Sequence, residues 1–467
     1  MRIPLPSKIS VREFEEYTDV VVLGSKDTEI SGISTDTREI YEGDLFVAIK
    51  GENFDGNEYV DKAFSLGAAA AICQRYEGET EKTCLVCEDP VRSLGVLAKK
   101  RHEMKKTKVV AITGSVGKTT AKEFISAVLS CAFKLNKSKG NFNTEIGMPI
   151  TMLACPEDAE ISVLEMGTDA PGDIAYLASI APPDVAVVTM IGSSHLEFFK
   201  TRENICREKM SIAEFVNEGG SIVVNGDEVL LRDEKYSVFS PLFVSLEGKG
   251  DFCAENIRTD AENTVFDFVA GDERCEMTIP YPGKHLVWGA MYACVCGRIF
   301  GMSLEDIRKG LLLFQREKRR QNVYNIGKIT ILDDSYNAAP ESVRAAADVL
   351  RELGKSKNAR TVAVLGDMRE LGEGSPELHF SVGKYIKESG VSLLFTLGEL
   401  AHNIADGTRA AGMKDECIFT TDDKDDIERC GKALLSQLKE NDIVLVKASL
   451  SINAPRVIKY LDEHINL

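Results

Sequence analysis

Thr113-Gly114-Ser115-Val116-Gly117-Lys118-Thr119-Thr120 follows an apolar run at 109–112 and precedes a helical pattern at 121–129. A strand, a glycine-rich turn, a lysine with hydroxyl residues and a helix, in this order, are typical of a phosphate-binding loop. In such a loop, backbone N–H groups at the helix N-terminus bind phosphate, the lysine reaches the outer phosphates and a hydroxyl can bind magnesium. The usual motif has a glycine where this chain has Ile112, so the sequence matches a shortened form. We predict ATP binding, because a plain turn with a solvated lysine would not need all of these features together.

The composition indicates a multidomain chain. Its 467 residues leave room for about three domains of about 150 residues each. No segment approaches the roughly 20 apolar residues that span a bilayer, and residues 1–10 lack the charged-then-apolar order of a secretory signal. The net charge of -17 disfavours nucleic acid and anionic membranes, because both attract Lys and Arg. We therefore predict a cytoplasmic protein without membrane insertion or nucleic-acid binding, which holds its nucleotide at a local basic site.

The twelve cysteines are expected to be reduced thiols, since a long chain without an export signal rarely carries a disulfide framework. Cys84 and Cys87 have the spacing of metal ligands but lie in an apolar, strand-like run with no second pair at a suitable distance. Cys294 and Cys296 fall in an alanine-rich helical stretch and are expected to be core residues. We assign no metal to cysteine.

Alternating apolar runs and helical patterns predict an α/β fold. Short runs at 45–49 and 68–72 indicate a small first domain, and the basic stretch 99–108 is expected to connect it to the next. A parallel sheet with helices on both faces is then predicted, with ligands beyond the carboxyl ends of its strands. Its strand candidates are 109–112, 161–164, 185–188 and 221–224.

The remaining chain is predicted to contain a β meander and a doubly wound domain. The meander is expected at 252–281, near the end of the nucleotide domain. The doubly wound domain is expected from about residue 328 onward. Its strand candidates are 329–332, 361–365, 393–397 and 443–446.

Several charged residues near predicted strand ends are candidates for chemistry. Glu165 closes one strand, where it is either a magnesium ligand or a helix cap. His195 follows another strand and is either a ligand or a hydrogen-bonded loop residue. Lys209 lies on a predicted helix with acids nearby, so the residues alone favour a surface salt bridge. Asp334 follows the first strand of the last domain, where an acid can bind ribose hydroxyls or cap a helix. Arg320 lies in a basic run at the domain junction, where it could neutralise phosphate.

The chain resembles the Mur ligases over nearly its whole length. The resemblance is carried by the short phosphate loop and by motifs in all three predicted domains. These motifs are Ser34-Thr35-Asp36-Thr37-Arg38, Gly43 to Ala48, Gly51-Glu52-Asn53-Phe54-Asp55-Gly56, Gly140-Asn141-Phe142-Asn143-Thr144-Glu145-Ile146-Gly147-Met148-Pro149, Glu165-Met166-Gly167, Pro171-Gly172-Asp173-Ile174, Asp333-Asp334-Ser335-Tyr336-Asn337-Ala338, and Leu365-Gly366-Asp367-Met368-Arg369-Glu370-Leu371-Gly372 with His379.

The resemblance implies a fold and a reaction. The fold is the three-domain Mur ligase architecture: a UDP-substrate domain at 1–106, a central P-loop parallel-sheet ATPase domain at 107–316, and a C-terminal Rossmann-like domain for the amino acceptor at 317–467. The asparagine-rich and the last two motifs imply the branch that joins D-Ala-D-Ala to UDP-N-acetylmuramoyl-tripeptide through an acyl phosphate. A monomer whose domains close around three substrates is expected. The alternatives are a related Mur or folylpolyglutamate-type ligase with another amine, and a non-catalytic nucleotide-binding regulatory protein.

The resemblance also implies roles for individual residues. Catalysis would involve Lys118, Glu165, His195 and Lys209, and two magnesium ions would be served by Thr119, Glu165, His195 and Lys209, the last as a carbamylated lysine. ATP would contact Gly114, Ser115, Val116, Gly117, Lys118, Thr119, Thr120, His285, Arg320 and Asp334. The UDP-linked substrate and its approach to the reaction centre would involve Ser34, Asp36, Thr37, Arg38, Asn141, Asn143, Thr144 and Asn337.

The sequence departs from the family pattern at three places. Leu286 and Gly289 replace two asparagines near the expected adenine site, and Ala339 replaces a third asparagine. Near the C-terminus, Leu450 replaces an arginine. If that arginine recognises the dipeptide, the amino acceptor of this chain differs.

Overall fold

The computed structural model describes residues 2–51, 54–78, 81–260 and 262–465, with the side chain of Glu234 left out. Glu52 and Asn53 of the motif at 51–56 therefore lie outside the described residues. The chain forms two compact units. The first comprises residues 1–113, 132–187 and 210–222, and the second comprises residues 114–131, 188–209 and 223–467.

The first unit contains a six-stranded sheet in the order β1-β3-β4-β5-β6-β2. Strands β3 to β6 are parallel, whereas β1 and β2 are antiparallel to their neighbours. Its elements are β1 (Arg2–Ser10), α1 (Val11–Tyr17), β2 (Val21–Leu23), β3 (Glu29–Ser34), β4 (Asp44–Val47), α2 (Val60–Ser65), β5 (Ala70–Cys73), β6 (Thr83–Val86) and α3 (Pro90–Lys105). The predicted α/β character of this region is thus confirmed, with β4 and β5 overlapping the predicted runs.

The predicted connector at 99–108 is wrong, because α3 continues through most of it. Asp89 caps this helix by accepting from the N–H groups of Val91 and Arg92, and Pro90 starts it. Lys and Arg are good helix formers, and positive charge near the C-terminal end of a helix is favourable. The basic stretch is therefore the last part of a helix, and the next strand begins at Lys108.

The middle of the chain builds the predicted parallel sheet. Its elements are β7 (Lys108–Thr113), α4 (Lys118–Leu129), β8 (Leu135–Lys137), α5 (Gly147–Leu153), β9 (Ile161–Glu165), α6 (Asp173–Ile180), β10 (Val185–Val188), α7 (Leu196–Phe199), α8 (Arg202–Met210), β11 (Ser221–Asn225), β12 (Leu242–Ser245), β13 (Phe252–Thr259), β14 (Thr264–Ala270), β15 (Glu273–Ile279), α9 (Leu286–Ile299) and α10 (Leu304–Leu312). In the first unit, β9 lies parallel between β7 and β8. In the second unit, β11, β12 and β13 are parallel, and β13 to β15 form the predicted antiparallel meander.

The last part of the chain is the predicted doubly wound sheet, in the order β16-β17-β21-β18-β19-β20. Its elements are β16 (Asn322–Ile326), β17 (Ile329–Asp333), α11 (Pro340–Lys357), β18 (Thr361–Gly366), α12 (Ser375–Glu388), β19 (Leu393–Leu397), α13 (His402–Ala410), β20 (Ile418–Thr421), α14 (Ile427–Gln437), β21 (Ile443–Lys447) and α15 (Pro455–His464). All strands are parallel except the edge strand β16. Apolar side chains of the inner strands pack against helices on both faces.

The cysteines are free thiols, as predicted. Cys84 belongs to β6, and Cys294 and Cys296 are buried in α9, where burial raises the pKa of Cys296 to about 12. Cys131 alone among the twelve is exposed. Within the described ranges, the helices are all too short or too polar to cross a membrane.

Candidate active site

The phosphate loop joins β7 directly to α4. Gly114 has a φ of 144°, and Gly117, at the N-cap of α4, has a φ of 89°. Residues other than glycine rarely adopt either backbone angle. The Lys118 ammonium donates to the Gly114 carbonyl over 2.7 Å, so the lysine folds back over its own loop. The predicted residues therefore form a glycine-rich turn that places Lys118 at the first position of α4.

The end of β10 fixes the shape of this loop. The Ser115 N–H donates to the Met190 carbonyl over 2.7 Å, and the Thr189 hydroxyl donates to the Val116 carbonyl over 2.8 Å. A Cβ at Gly114 would lie 2.0 Å from the Thr189 hydroxyl oxygen. Tyr292 of α9 supports the same strand end, because its hydroxyl donates to the Thr189 carbonyl over 3.1 Å. Sequence reasoning missed this support, since nothing local links Thr189 to the loop.

Glu165 lies at the end of β9, in register with Ile112 of β7, and is buried. Its carboxylate accepts a hydrogen bond of 2.8 Å from the Asn143 side-chain amide. The Gly167 N–H also donates to the Asn143 carbonyl, and a Cβ at Gly167 would lie 3.1 Å from the amide. The structure thus joins the asparagine-rich motif to the predicted magnesium ligand. Helix α6 begins only at Asp173, so Glu165 does not cap it.

Asn141 and Thr144 of the asparagine-rich motif take part in local turns. The Asn141 carbonyl accepts from the Asn143 N–H over 2.8 Å, and the Thr144 hydroxyl oxygen accepts from the Gly147 N–H over 3.4 Å. These bonds shape the segment ahead of α5. The predicted contact of Asn141 and Thr144 with substrate stays a prediction.

His195 contacts an acid that sequence reasoning had only quoted as part of a motif. Its Nδ1 lies 2.6 Å from the carboxylate of Glu370, and the hydrogen bond with His195 lowers the pKa of the Glu370 carboxyl. Two residues earlier, the Ser193 N–H and hydroxyl both donate to Glu341, over 3.0 and 2.8 Å. The loop after β10 is therefore held by two carboxylates from the C-terminal part of the chain.

Arg320 lies beside the phosphate loop. Its guanidinium donates to the Thr119 hydroxyl over 3.2 Å and lies 4.1 Å from the centroid of the Tyr336 ring. The structure thus brings the predicted phosphate-binding arginine to the predicted magnesium-binding threonine. This pairing spans the chain from the first turn of α4 to the segment ahead of β16.

Asp334 forms a buried ion pair with Lys447. Their charged atoms are 2.6 Å apart, and the lysine also donates to the Asn337 carbonyl over 2.9 Å. Burial lowers the pKa of Lys447. The Asn337 side chain accepts from the Ala338 N–H. Asp334 is therefore engaged by a lysine at the end of β21 rather than by a helix cap, and its contact with ribose stays a prediction.

Comparison with known proteins places this geometry in a family. Three family profiles match consecutive regions: "Mur ligase family, catalytic domain" at 29–112, "Mur ligase middle domain" at 112–297, and "Mur ligase, glutamate ligase domain" at 318–450. A Bacillus subtilis protein named UDP-N-acetylmuramoyl-tripeptide–D-alanyl-D-alanine ligase is 36% identical over 446 residues, with 93% of this chain and 94% of the relative covered. The chain belongs to the Mur ligase family.

Solved structures agree with this Mur ligase assignment. The structure of MurF from Acinetobacter baumannii superposes with a TM-score of 0.88 at 29% identity, over 99% of this chain and all of the other. MurF from Thermotoga maritima in complex with ADP superposes with a TM-score of 0.79 at 32% identity, over 92% of this chain and 97% of the other. The three-domain Mur ligase fold is confirmed, and the chain is an ATP-dependent peptide ligase.

Two basic groups of this Mur ligase are shielded from solvent, His285 in part and Lys209 fully. His285 precedes α9, and burial lowers its pKa to about 4, so the imidazole is neutral at neutral pH. Lys209 of α8 is fully buried, so the surface position that its sequence context favoured is wrong. Acidic residues near Lys209 in the sequence suggested an exposed position, but the face of α8 that carries Lys209 points into the protein.

The substitutions at 286 and 289 in this Mur ligase fit the packing of α9. Leu286 is buried at the start of the helix. Gly289 lies against α4, where a Cβ would be 2.6 Å from the Phe124 ring. A longer side chain at 289 would push α4 and α9 apart, so the missing asparagine is explained by close helix packing.

The predicted UDP-sugar residues of this Mur ligase form one small cluster in the first unit. Asp36 caps the short helical turn Thr37–Glu39 and binds the Arg38 guanidinium through both oxygens. Hydrogen bonds from Arg38 hold the pKa of the Asp36 carboxyl well below its usual range. The Ser34 hydroxyl donates to the Asp36 carbonyl over 3.0 Å. The exposed Arg38 presents a positive charge to solvent.

Proposed function

We propose that this Mur ligase joins D-Ala-D-Ala to UDP-N-acetylmuramoyl-tripeptide with ATP, giving the UDP-muramoyl-pentapeptide, ADP and phosphate. The observation that carries the proposal is the 36% identity, over 93% of the chain, to a protein of that name. The phosphate loop with Lys118 and Thr119 supplies the matching ATP-site geometry. The product is a precursor of peptidoglycan, so the enzyme would act in the cytoplasm and support cell shape and cell division.

The reaction needs ATP because a carboxylate oxygen is a poor leaving group. The terminal carboxylate of the tripeptide attacks the γ-phosphorus, the bond to ADP breaks, and an acyl phosphate forms. The dipeptide amine then attacks the acyl carbon to give a tetrahedral intermediate. Phosphate leaves with its electron pair, the amine loses a proton, and the amide remains.

The chain's own groups would bind and orient the phosphates. The loop N–H groups and Lys118 would hold the outer phosphates, and Arg320 would add a second positive charge beside Thr119. Fixed donors of this kind stabilise the charge that develops on the transferred phosphoryl group and need no rearrangement during the step. Asp334 and His285 would serve the ribose and adenine.

The donors present are compatible with magnesium. Among the residues that the structure describes, there is no cluster of three or more His, Cys, Asp or Glu side chains that could hold a metal by itself. Magnesium usually takes one or two protein carboxylates and completes its shell with phosphate oxygens and water. Thr119, Glu165 and His195 are donors of this sparse type, and we propose that they serve two ions. Bound magnesium would supply positive charge that neutralises the phosphates.

Lys209 is the residue that we propose to be carbamylated. Lys209 is fully buried, and burial carries a desolvation cost for an ammonium that a neutral amine, which can add carbon dioxide, does not have. The product carries a negative charge on a long stem and is a suitable magnesium ligand. Mass spectrometry of native protein prepared with and without bicarbonate, compared with Lys209→Met, should show an adduct in the parent only.

The remaining roles follow the domain order. We propose a UDP-substrate domain at 1–106 with contacts from Ser34, Asp36, Thr37 and Arg38, an ATPase domain at 107–316, and an acceptor domain at 317–467. Asn141, Asn143, Thr144 and Asn337 would guide the substrates to the reaction centre. A monomer is sufficient for this scheme.

The direct test mixes enzyme, ATP, magnesium, UDP-muramoyl-tripeptides and D-Ala-D-Ala, and weighs the product by mass spectrometry. Lys118→Ala should lower turnover on the order of 100-fold or more, because it removes a charge that acts on the transferred phosphate. Lys249→Ala, which removes a largely exposed lysine, is the matched control and should leave turnover unchanged. Equal turnover of both variants would contradict the proposal.

A different amine acceptor is the second candidate. Leu450, at the position where the family has an arginine, is exposed and cannot bind a carboxylate. A panel of amines that includes D-Ala-D-Ala and glutamate, read by phosphate release, separates the two. Release with glutamate but not with the dipeptide would favour the second candidate. ATP binding without turnover on any amine would indicate a regulatory protein.

A further inference from the structure

Residues 192–197, here called the His195 segment, comprise the end of the loop after β10 and the first two residues of α7. Residues far away in the chain hold this segment. Both holding residues belong to the C-terminal sheet region. Glu341 lies in the first turn of α11, and Glu370 lies in the loop between β18 and α12. The proposed reaction assigns no role to either carboxylate.

Glu370 binds the segment at two points. Its carboxylate lies 2.6 Å from His195 Nδ1, and its backbone carbonyl accepts from the Glu197 N–H over 3.0 Å. Both His195 and Glu370 have a φ of 65°, in the left-handed region. This conformation is unfavourable by about 1–2 kcal/mol for a residue with a side chain, so it persists only where surrounding contacts impose it.

Glu341 holds the start of the segment. One carboxylate oxygen accepts both the N–H and the hydroxyl of Ser193. The neighbouring Gly192 makes room for this approach, because a Cβ there would lie 3.2 Å from the Glu341 carboxyl carbon. The backbone ahead of His195 is therefore fixed independently of the imidazole.

A carboxylate at one imidazole nitrogen determines what the other nitrogen can do. A carboxylate oxygen 2.6 Å from an imidazole nitrogen disfavours a bare lone pair on that nitrogen, so the neutral ring should carry its proton at Nδ1 and keep the Nε2 lone pair for a ligand. In metal sites such carboxylates orient the ring, and their loss typically costs 10- to 100-fold in metal affinity or activity. An isolated imidazole has no such fixed tautomer.

We propose that Glu370 is a positioning residue for His195: it fixes the ring and its Nδ1–H tautomer, while Glu341 fixes the backbone that carries the ring. The C-terminal region would thereby set the geometry of a residue that serves the phosphates of ATP. The expected effect of Glu370 on catalysis rests on the proposed ligase reaction, whereas the expected tautomer of His195 does not depend on that reaction.

The first test is a ¹⁵N NMR measurement on selectively histidine-labelled, full-length enzyme without nucleotide. The chain has six histidines, and His195→Asn assigns the signal. The parent should show His195 as the Nδ1–H tautomer. Glu370→Ala should shift the signal towards the Nε2–H form, and Glu370→Gln should retain the parent signal because its amide oxygen still accepts. The matched control is Asp422→Ala, which removes an exposed carboxylate 3.1 Å from His402 and should leave the His195 signal unchanged.

The second test is kinetic. Glu370→Ala should lower kcat on the order of 10- to 100-fold and raise the magnesium concentration needed for half-maximal rate. Its KM for the dipeptide should stay within about twofold of the parent, and Glu370→Gln should recover most of the rate. A Glu370→Ala enzyme with an unchanged His195 tautomer would overturn the inference. If Glu370→Ala shifts the His195 tautomer but the parent enzyme makes no amide, the proposed function is refuted and the positioning of His195 stands.

Discussion

The buried pair of Lys447 and Asp334 gives the sharpest stability prediction. The two side chains are 3% and 8% exposed, and their charged atoms are 2.6 Å apart. Asp334→Ala would leave the lysine with the Asn337 carbonyl as its acceptor, in a site that burial already makes unfavourable for its charge. Removing one partner of such a pair costs about 3–5 kcal/mol, because the other charge stays buried without compensation.

Replacing both partners should be far milder. Apolar side chains of similar volume need no charge compensation, so Lys447→Met combined with Asp334→Leu should lie within about 1 kcal/mol of the parent. The difference between the single and double variants is the coupling energy of the pair. A sum of single effects equal to the double effect would refute the reasoning, since it would mean that the two charges do not depend on each other.

Hydrogen exchange is the suitable assay because it reports on the affected strands. Asp334 follows β17, and its N–H donates to Val446 of the adjacent β21, so peptides from these two strands should lose protection in each single variant. The chain's one tryptophan, Trp288, lies in α9 and would not report on this sheet. ATP binding measured on the folded double variant then separates stability from the proposed ribose contact: weaker binding with intact protection is expected.

Three further outcomes are expected. Gly114→Ala should abolish ATP binding, since its Cβ would lie 2.0 Å from a hydroxyl oxygen. The control Gly219→Ala also has positive φ but open space around its Cβ, and should cost only about 1 kcal/mol of stability. Equal effects of the two variants in calorimetry would contradict the steric argument. His285 has a pKa of about 4 in the folded protein and 6.5 in the unfolded chain. The free energy of unfolding relative to His285→Gln, measured by denaturant titration at each pH, should therefore be constant above pH 6.5 and fall by about 3 kcal/mol as the pH drops to 4. Asn143→Leu should lower turnover more than ATP affinity, because it removes the amide that orients Glu165, and steady-state kinetics with an unchanged kcat would argue against that role.

Local patterns predicted most of the fold. The strands of the inner sheets are continuous apolar runs, and the phosphate loop is defined by residues within eight positions, so both could be found without distant contacts. Strand β16 was missed because three of its five residues are exposed at a sheet edge and carry no apolar run. The part of α3 from residue 99 to residue 105 was missed because the basic stretch 99–108 was interpreted as a connector.

The candidate site was only partly predictable because its key contacts join remote segments. Thr119 and Arg320 are 201 positions apart, and no local pattern indicates their hydrogen bond. The same holds for His195, which the sequence analysis named only as following a strand, and Glu370, which it placed in a C-terminal motif. Burial of Lys209 was also missed, since acidic neighbours on a helix say nothing about which face packs inward.

The exposed thiol of Cys131 offers a ready attachment point for a spectroscopic probe. It follows α4, whose first residue is Lys118, and a helix of that length spans about 18 Å. A dye or spin label there would sit one helix length from bound nucleotide, within range of fluorescence quenching or paramagnetic relaxation. Because the other cysteines are wholly or partly shielded, brief labelling of the unmodified chain should yield a singly tagged enzyme.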